Sequence, residues 1–373
     1  MRYFIFECKK SIFNRKFLIT LGIVLLAITL LFLRNVSFQD YAREQVMKEH
    51  SSLVKIHRDK DYDLQIYLSE NDGDKNAIVQ KERNEEILQK LLIWTSGYTQ
   101  KKEWQEVLRF ENEYLISLDA QIEADEVTPI SLEEKNKMIL FNEELLKREI
   151  PPEFEDYSIA RPNFLKQVVD FYMMYGFLIL VLILISDLLS TEYENRTILF
   201  QFTQPIKRAN IIFSKFASAF MIYLITLFLI LLTSYSLPTL FGEKGDFNYP
   251  VFIEKSGELI SIALSEYILY AMITNLFLAL LMISLYLLLS VLTKHSLLTL
   301  FSLAAISIFG ALLSNLFQTK LIASINPFRF LLRMDFITLQ TNQTWHDGII
   351  ASVLLSIITL LIASRLIRKS KVG

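Results

Sequence analysis

The chain of 373 residues has one cysteine, Cys8. A single thiol excludes any disulfide within the chain and any cysteine-rich metal site, so whatever lies outside a membrane folds without covalent staples. Recognised catalytic motifs are missing too. There is no Gly-x-x-x-x-Gly-Lys-Ser/Thr phosphate loop, no His-Glu-x-x-His helix and no Gly-x-Ser-x-Gly elbow. The four histidines, His50, His57, His295 and His346, give no constellation for catalysis, so the chain is not expected to be an enzyme, nor to hold a metal or cofactor. Charge of one sign is also lacking. Balancing 38 bases against 40 acids leaves a net charge of −2, and no nucleic-acid partner is expected.

What is abundant is apolar: 52% of the residues are hydrophobic and 21% charged, too apolar for one ordinary soluble domain. A hydrocarbon core about 30 Å thick needs roughly 20 apolar residues in a helix. Six stretches qualify, at 17–33, 168–189, 209–232, 262–292, 297–317 and 348–367. The first follows five bases and lacks a small-residue cleavage site, so it reads as a retained anchor. The expected fold is therefore an all-α integral membrane protein with six transmembrane helices and a large helical extracellular domain between helices 1 and 2.

Orientation follows from the basic bias of short segments beside the spans. Residues 1–16 carry Arg2, Lys9, Lys10, Arg15 and Lys16 against Glu7, and the tail 368–373 carries Arg368, Lys369 and Lys371 with no acid. Both termini are thus expected in the cytoplasm of a multi-pass cell (plasma) membrane protein, with 190–208 on the same side. The region 34–167 then lies outside; between Arg34 and Lys166 it has 28 acids and 19 bases. Segment 318–347 carries charge of both signs, and its Asn326-Pro327-Phe328 break suits either an ordinary capped loop or a re-entrant segment.

The 34–167 region is rich in helix formers. Ile87, Leu88, Leu91 and Leu92, then Val107, Leu108, Tyr114, Leu115 and Leu118, predict two amphipathic helices joined near Gly97. Ser131 followed by Glu134 predicts a capping box opening a third. His50 and His57, seven residues apart, are expected to be solvated surface residues. Three acids fall near span ends, Asp170, Asp187 and Glu266. Intramembrane charge is usually functional, but their positions favour snorkelling to an interface.

The segment TEYENRTILFQFTQPIKRANIIFSK, Thr191 to Lys215, is unusual for a linker between two spans. Ile198, Leu199, Phe200 and Phe202 suggest a short helix stopped by Pro205, followed by a basic edge of Lys207, Arg208 and Lys215. The run Glu192-x-x-x-x-Thr197, then Pro205-x-x-Arg208, resembles the ABC-2 type permeases, the membrane subunits of ATP-binding cassette exporters. The N-terminal Phe6-Glu7-Cys8-Lys9-Lys10 run is similar to the cytoplasmic elbow helix that leads those permeases into their first span. The resemblance implies that Glu192, Glu194, Arg196, Thr197, Pro205 and Arg208 form the coupling element that meets the ATPase, with Glu7, Lys9 and Lys10 in the elbow. The family commonly has glycine just before the threonine, where this chain has Arg196.

The resemblance further implies a separate ABC ATPase subunit holding ATP and Mg, a second permease chain forming a homo- or heterodimer, and a path for substrate along spans two and five. A peptide, drug or other amphipathic compound is the expected cargo, and a bacterial source is expected. The rival from another class is a non-transporting receptor or scaffold with an extracellular sensing domain.

Overall fold

The computed structural model describes residues 2–255, 258–316, 326–331 and 345–369. By Cα proximity the chain divides into two compact units. One comprises residues 1–33, 159–247 and 251–373, and the other residues 34–158 with 248–250.

The first unit holds the spans. It opens with α1 (Arg2–Ile12) and α2 (Arg15–Ser37), the latter running on into the second unit. The second span is α8 (Arg161–Phe171), a π-helical turn at Tyr172–Gly176 and α9 (Phe177–Ile185). After a bend come the short helices α10 (Ser190–Glu194) and α11 (Ile198–Thr203), then α12 (Arg208–Phe241). The remaining spans are α13 (Leu264–Thr293), α14 (Ser296–Leu316) and α15 (Trp345–Lys369). Among the described residues six helices are long and apolar enough to cross a membrane, and a helix satisfies its own backbone polar groups, which is what lipid requires. The apolar core between them includes Val181, Tyr223, Leu278, Met282 and Ala363. Exposed apolar side chains such as Leu18, Ile23 and Leu30 on α2, and Phe301 and Phe309 on α14, are an unburied face suited to acyl chains rather than water.

Two features depart from the expected all-α fold and its fourth span. The strands β1 (Pro250–Lys255) and β2 (Glu258–Ala263) pair as a two-stranded sheet. Ile262 and Ala263 therefore belong to a strand, and the helix starts at Leu264. The sequence there alternates, and Ile253, Ile260 and Ile262 are set against Tyr267 and Ala271 of α13, so period-two packing overrides the apolar run. Glu266 falls in the first turn of α13, where a carboxylate favours the positive helix end.

Of segment 318–347, only Asn326–Leu331 and the start of α15 lie among the described residues, so the re-entrant expectation lies largely outside them. Asn326 accepts from the Phe328 backbone N–H at 3.1 Å and donates to the Gly310 carbonyl at 2.6 Å. It thereby opens a buried 3₁₀ turn, Pro327–Phe330.

The second unit is a helical domain of α3 (Gln39–Glu70), α4 (Lys75–Thr99), α5 (Trp104–Ser117), α6 (Asp119–Glu123) and α7 (Leu132–Arg148). Its start signals work as local chemistry demands. Asp74 accepts the backbone N–H groups of Asn76 and Ala77 to open α4, and Ser131 accepts that of Glu134 at 3.2 Å to open α7. Gly97 sits inside the last turn of α4 rather than between helices, with Phe110 of α5 packed so closely that a Cβ would lie 3.1 Å from its ring. Leu53, Ile87, Leu91, Trp94, Tyr114, Leu115 and Leu118 form the core. Leu91 has no exposed surface, so Leu91→Ala is expected to destabilise the domain by about 2–5 kcal/mol. The check is the denaturant midpoint followed by Trp94 fluorescence; an unchanged midpoint would contradict this core.

The solvated placement expected for His50 and His57 is overturned. They are 2% and 1% exposed, because seven residues is two helical turns and puts both on the α3 face that meets α4. The His50 ring lies 4.1 Å from that of Trp94. His57 Nδ1 is 2.9 Å from Asn84 Oδ1, while Asn84 Nδ2 donates to the His57 carbonyl at 2.8 Å.

Candidate functional site: a buried ion network beneath the segment between the second and third spans

The segment between the second and third spans is held from behind by charge. Lys215 lies two turns into α12 and has no exposed surface. Its ammonium reaches Glu192 Oε1 at 2.8 Å and Glu7 Oε1 at 3.2 Å. Glu192 Oε1 also accepts from Lys10 Nζ at 2.7 Å, and its other oxygen accepts from Gln201 Nε2 at 2.8 Å. Two carboxylates and two ammoniums thus join α1, α10, α11 and α12, with Glu7 1% and Glu192 4% exposed. Charges taken out of water are tolerated only when paired and hydrogen-bonded in this way.

Local structure explains how the four meet. On α1 the inward position is Glu7, flanked by half-buried Phe4, Cys8 and Ser11, while Ile5, Phe6 and Phe13 face outward. The buried stripe of α1 is therefore centred on a carboxylate rather than on an apolar residue. Lys9 is exposed, and Lys10 reaches inward from the rim. Burial pulls the Lys10 ammonium down, yet Glu192, with Glu7 and Asp187 adding, holds it above its ordinary value. Lys215, expected on a basic edge, is instead the centre of the network.

The other residues of the segment divide by direction. Ile198 is 3% exposed and anchors α11, while Phe200 is 74% exposed. Glu194 faces the opposite way from Glu192: its oxygens accept from Ser296 Oγ at 2.6 Å and lie 3.2 Å from His295 Nδ1, tying α10 to the α13–α14 turn. Thr197 Oγ1 donates to the Glu192 carbonyl at 3.4 Å. Pro205 is exposed, and the Arg208 guanidinium lies 4.4 Å from the centre of the Phe202 ring. Beside Pro205, an open groove of about 860 Å³ is lined by Tyr3, Phe4, Ile206, Lys207 and Phe213.

Arg196 has φ +57°, a left-handed conformation in the turn between α10 and α11. Glycine adopts it without steric penalty, whereas a side chain costs about 1–2 kcal/mol. Arg196→Gly is therefore expected to raise the thermal midpoint of the purified protein slightly; a lower midpoint would mean that the guanidinium makes a contact worth more than the strain.

The acids near span ends are each partnered. Asp170 accepts from Lys166 at 3.0 Å and from the Tyr267 hydroxyl at 2.5 Å. Asp187 pairs with Lys16 at 3.3 Å, and Glu266 accepts from the Tyr270 hydroxyl at 3.0 Å. Neither Tyr286, which bonds both Ser186 and Ser190, nor the Glu7–Lys215 pair was visible as a contact in the sequence. The one available signal was a lysine standing alone in the apolar run Ile211-Ile212-Phe213-Ser214-Lys215-Phe216.

No curated protein and no solved structure matches the chain significantly. A family model does: that of the ABC-2 family transporter proteins matches residues 3–367. The match runs from α1 through the charged segment between the second and third spans and into α15, so the chain is a multi-pass membrane protein of the ABC-2 transporter family.

Proposed function

We propose that the chain is the permease subunit of an ATP-binding cassette exporter, paired with a second permease chain and driven by separate subunits that hold ATP and Mg. The carrying observation is the two-sidedness of the α10–α11 segment. Phe200 points outward while Glu192 and Gln201 tie the segment to α1 and α12 through buried charge. A helix presented this way is a lever, because force applied to Phe200 reaches the spans through contacts that cannot slip without exposing an unpaired ion.

Topology supports the same arrangement. The basic ends put both termini and the lever in the cytoplasm, where an ATP-hydrolysing partner resides, and the groove at Tyr3, Pro205 and Phe213 gives that partner a second surface. The helical domain of 34–158 then lies outside the cell membrane. A peptide, drug or other amphipathic compound is the proposed cargo, carried along the second and fifth spans.

Glu192 is built into the scaffold, so charge reversal there would disturb the fold as well as any partner. Phe200→Asp is the cleaner test. It is expected to abolish co-purification with the ATP-hydrolysing subunit while leaving the variant's gel-filtration profile unchanged. Undiminished co-purification and transport in that variant would remove α11 from the contact. A chain that captures a cytoplasmic signalling protein instead, with no ATPase, would establish the receptor alternative.

A further inference from the structure

The bend between the second span and the lever is Ser186–Leu189, four residues without helical structure. The Tyr286 side chain of α13 closes on both sides of it. Its hydroxyl donates to the Ser186 carbonyl at 2.6 Å, and Ser190 Oγ lies 2.6 Å from the Tyr286 hydroxyl oxygen. A phenol has one proton; with that proton on the Ser186 carbonyl, Ser190 must be the donor to Tyr286. Tyr286 and Ser190 have no exposed surface and Ser186 is 5% exposed, so water offers no substitute partner.

We infer that Tyr286 is the clamp of this hinge, a positioning residue that sets the angle between the second span and the α10–α11 lever. Through it, displacement of the lever is passed into α13. The inference rests on the permease assignment for its meaning in transport, but the clamp itself is a property of this chain.

Two further contacts tie the second span to α13, beside the buried Tyr172–Tyr223 hydroxyl pair that ties it to α12. Tyr267 donates to Asp170, and Asn275 Nδ2 is bonded to Met173 Sδ. With Tyr286 they make polar contacts at three depths along one helix pair, in an environment where an unbonded polar group is costly. The π-helical turn at Tyr172–Gly176 supplies the register. An unbroken α-helix would turn position 186 about 160° away from position 170, and absorbing one extra residue reduces that to about 60°. Without the extra residue, the contacts at Asp170 and Ser186 would not face the same neighbour.

Ser190 is two residues from Glu192, whose carboxylate joins α1 and α12. The short helix α10 thus has three anchors: Ser190 on α13, Glu192 on α1 and α12, and Glu194 on the α13–α14 turn. A push on α11 that tilts the lever about Ser186–Leu189 loads these anchors, and the Tyr286 hydroxyl is the one that also holds the bend itself.

The test uses the full chain in lipid nanodiscs, without any ATPase, on a Cys8→Ser background. Spin labels at Thr203→Cys on the lever and Ile362→Cys on α15 report the distance across the hinge by double electron–electron resonance. The parent is expected to give a single narrow distance peak. Tyr286→Phe and Ser190→Ala should each lose that peak to a broader distribution, and the double variant should look like the worse single one, because the two groups act through one bond. Tyr223→Phe, which removes a buried hydroxyl far from the bend, should keep the narrow peak. A narrow peak in both Tyr286→Phe and Ser190→Ala, additive broadening in the double variant, or equal broadening in Tyr223→Phe would overturn the clamp. Since no partner is present, failure here leaves the Phe200 co-purification result standing, and failure there leaves this one.

Discussion

Replacing Lys215 with methionine is expected to be the most damaging single change in the spans, destabilising the folded protein by about 3–5 kcal/mol. The reason is what remains rather than what is lost. Glu7 and Glu192 both bond to Lys215 and are almost wholly buried. Without the ammonium, two carboxylates face each other in low dielectric with only Lys10 to share. Methionine fills much the same volume, so a packing defect cannot account for the loss. The triple variant Glu7→Gln, Lys215→Met, Glu192→Gln should recover most of the stability, because removing a whole buried ion set is far cheaper than breaking it. The measurement is the thermal midpoint of the detergent-purified protein by fluorescence-detected gel filtration. A midpoint for Lys215→Met within a degree of the parent, or a triple variant worse than the single, would refute the network as a structural element.

Acidification is expected to unfold the 34–158 domain before the neutral-pH denaturant midpoint would suggest. Burial drives the His50 imidazole down to about 4, and burial with the nearby Lys60 lowers His57 against the opposing effect of its hydrogen bond to Asn84 Oδ1. A histidine whose folded pKa is depressed binds fewer protons folded than unfolded. The stability tied to its neutral form is therefore complete above about pH 6.5 and is lost as the pH falls from there towards 4. For His50 that loss is of order 3 kcal/mol.

Glu111 works against it. Burial pushes its carboxyl up to about 7, with Glu49 adding and a hydrogen bond to Asn142 opposing, so its contribution grows as the pH falls from 7 towards the usual carboxylate range. Glu111 keeps partial contact with water, which weakens its effect through screening, and two histidines oppose one acid. The net expectation is a lower denaturant midpoint at pH 5 than at pH 7.5, followed through Trp94. Glu111→Gln should steepen that loss and His50→Leu should flatten it. Identical midpoints at the two pH values in both variants would show that these groups do not titrate with folding.

Much of the architecture was legible because its causes are local or compositional. A run of about 20 apolar residues has few destinations other than a bilayer, and each of the six apolar stretches falls on a helix long enough to cross one. The fourth was read two residues early, at Ile262, because a β-strand of Leu259-Ile260-Ser261-Ile262-Ala263 and the start of an apolar helix look alike without knowledge of the partner strand. Ser131 and Glu134 were readable as a cap because all the atoms involved lie within one turn.

The histidines were misread for the opposite reason. Their shared face was evident from the spacing, but which way that face pointed depended on Trp94 and Asn84 of α4, whose approach no pattern within α3 reports. The charged segment between the second and third spans stands out in the sequence by its motif, while the ion pairs of Glu192 do not, since its cations come from Lys10 and Lys215, 182 residues before it and 23 after it.

Arg196 marks the boundary between these cases. As a departure from the family's glycine it was visible in the sequence, but its meaning as a strained left-handed residue appears only in the backbone, at φ +57°.

The sequence by itself determined the solvent each segment seeks, the helix cap at Ser131 and the absence of a Gly-x-x-x-x-Gly-Lys-Ser/Thr phosphate loop, because these follow from transfer free energy, hydrogen bonds within a turn and the residues present. Only the tertiary structure decided which charges face inward and which hydroxyl of α13 grips the bend at Ser186–Leu189. The physical reason is that a buried ion or phenol is stable or ruinous according to a partner brought from a distant part of the chain, and that choice is made by packing.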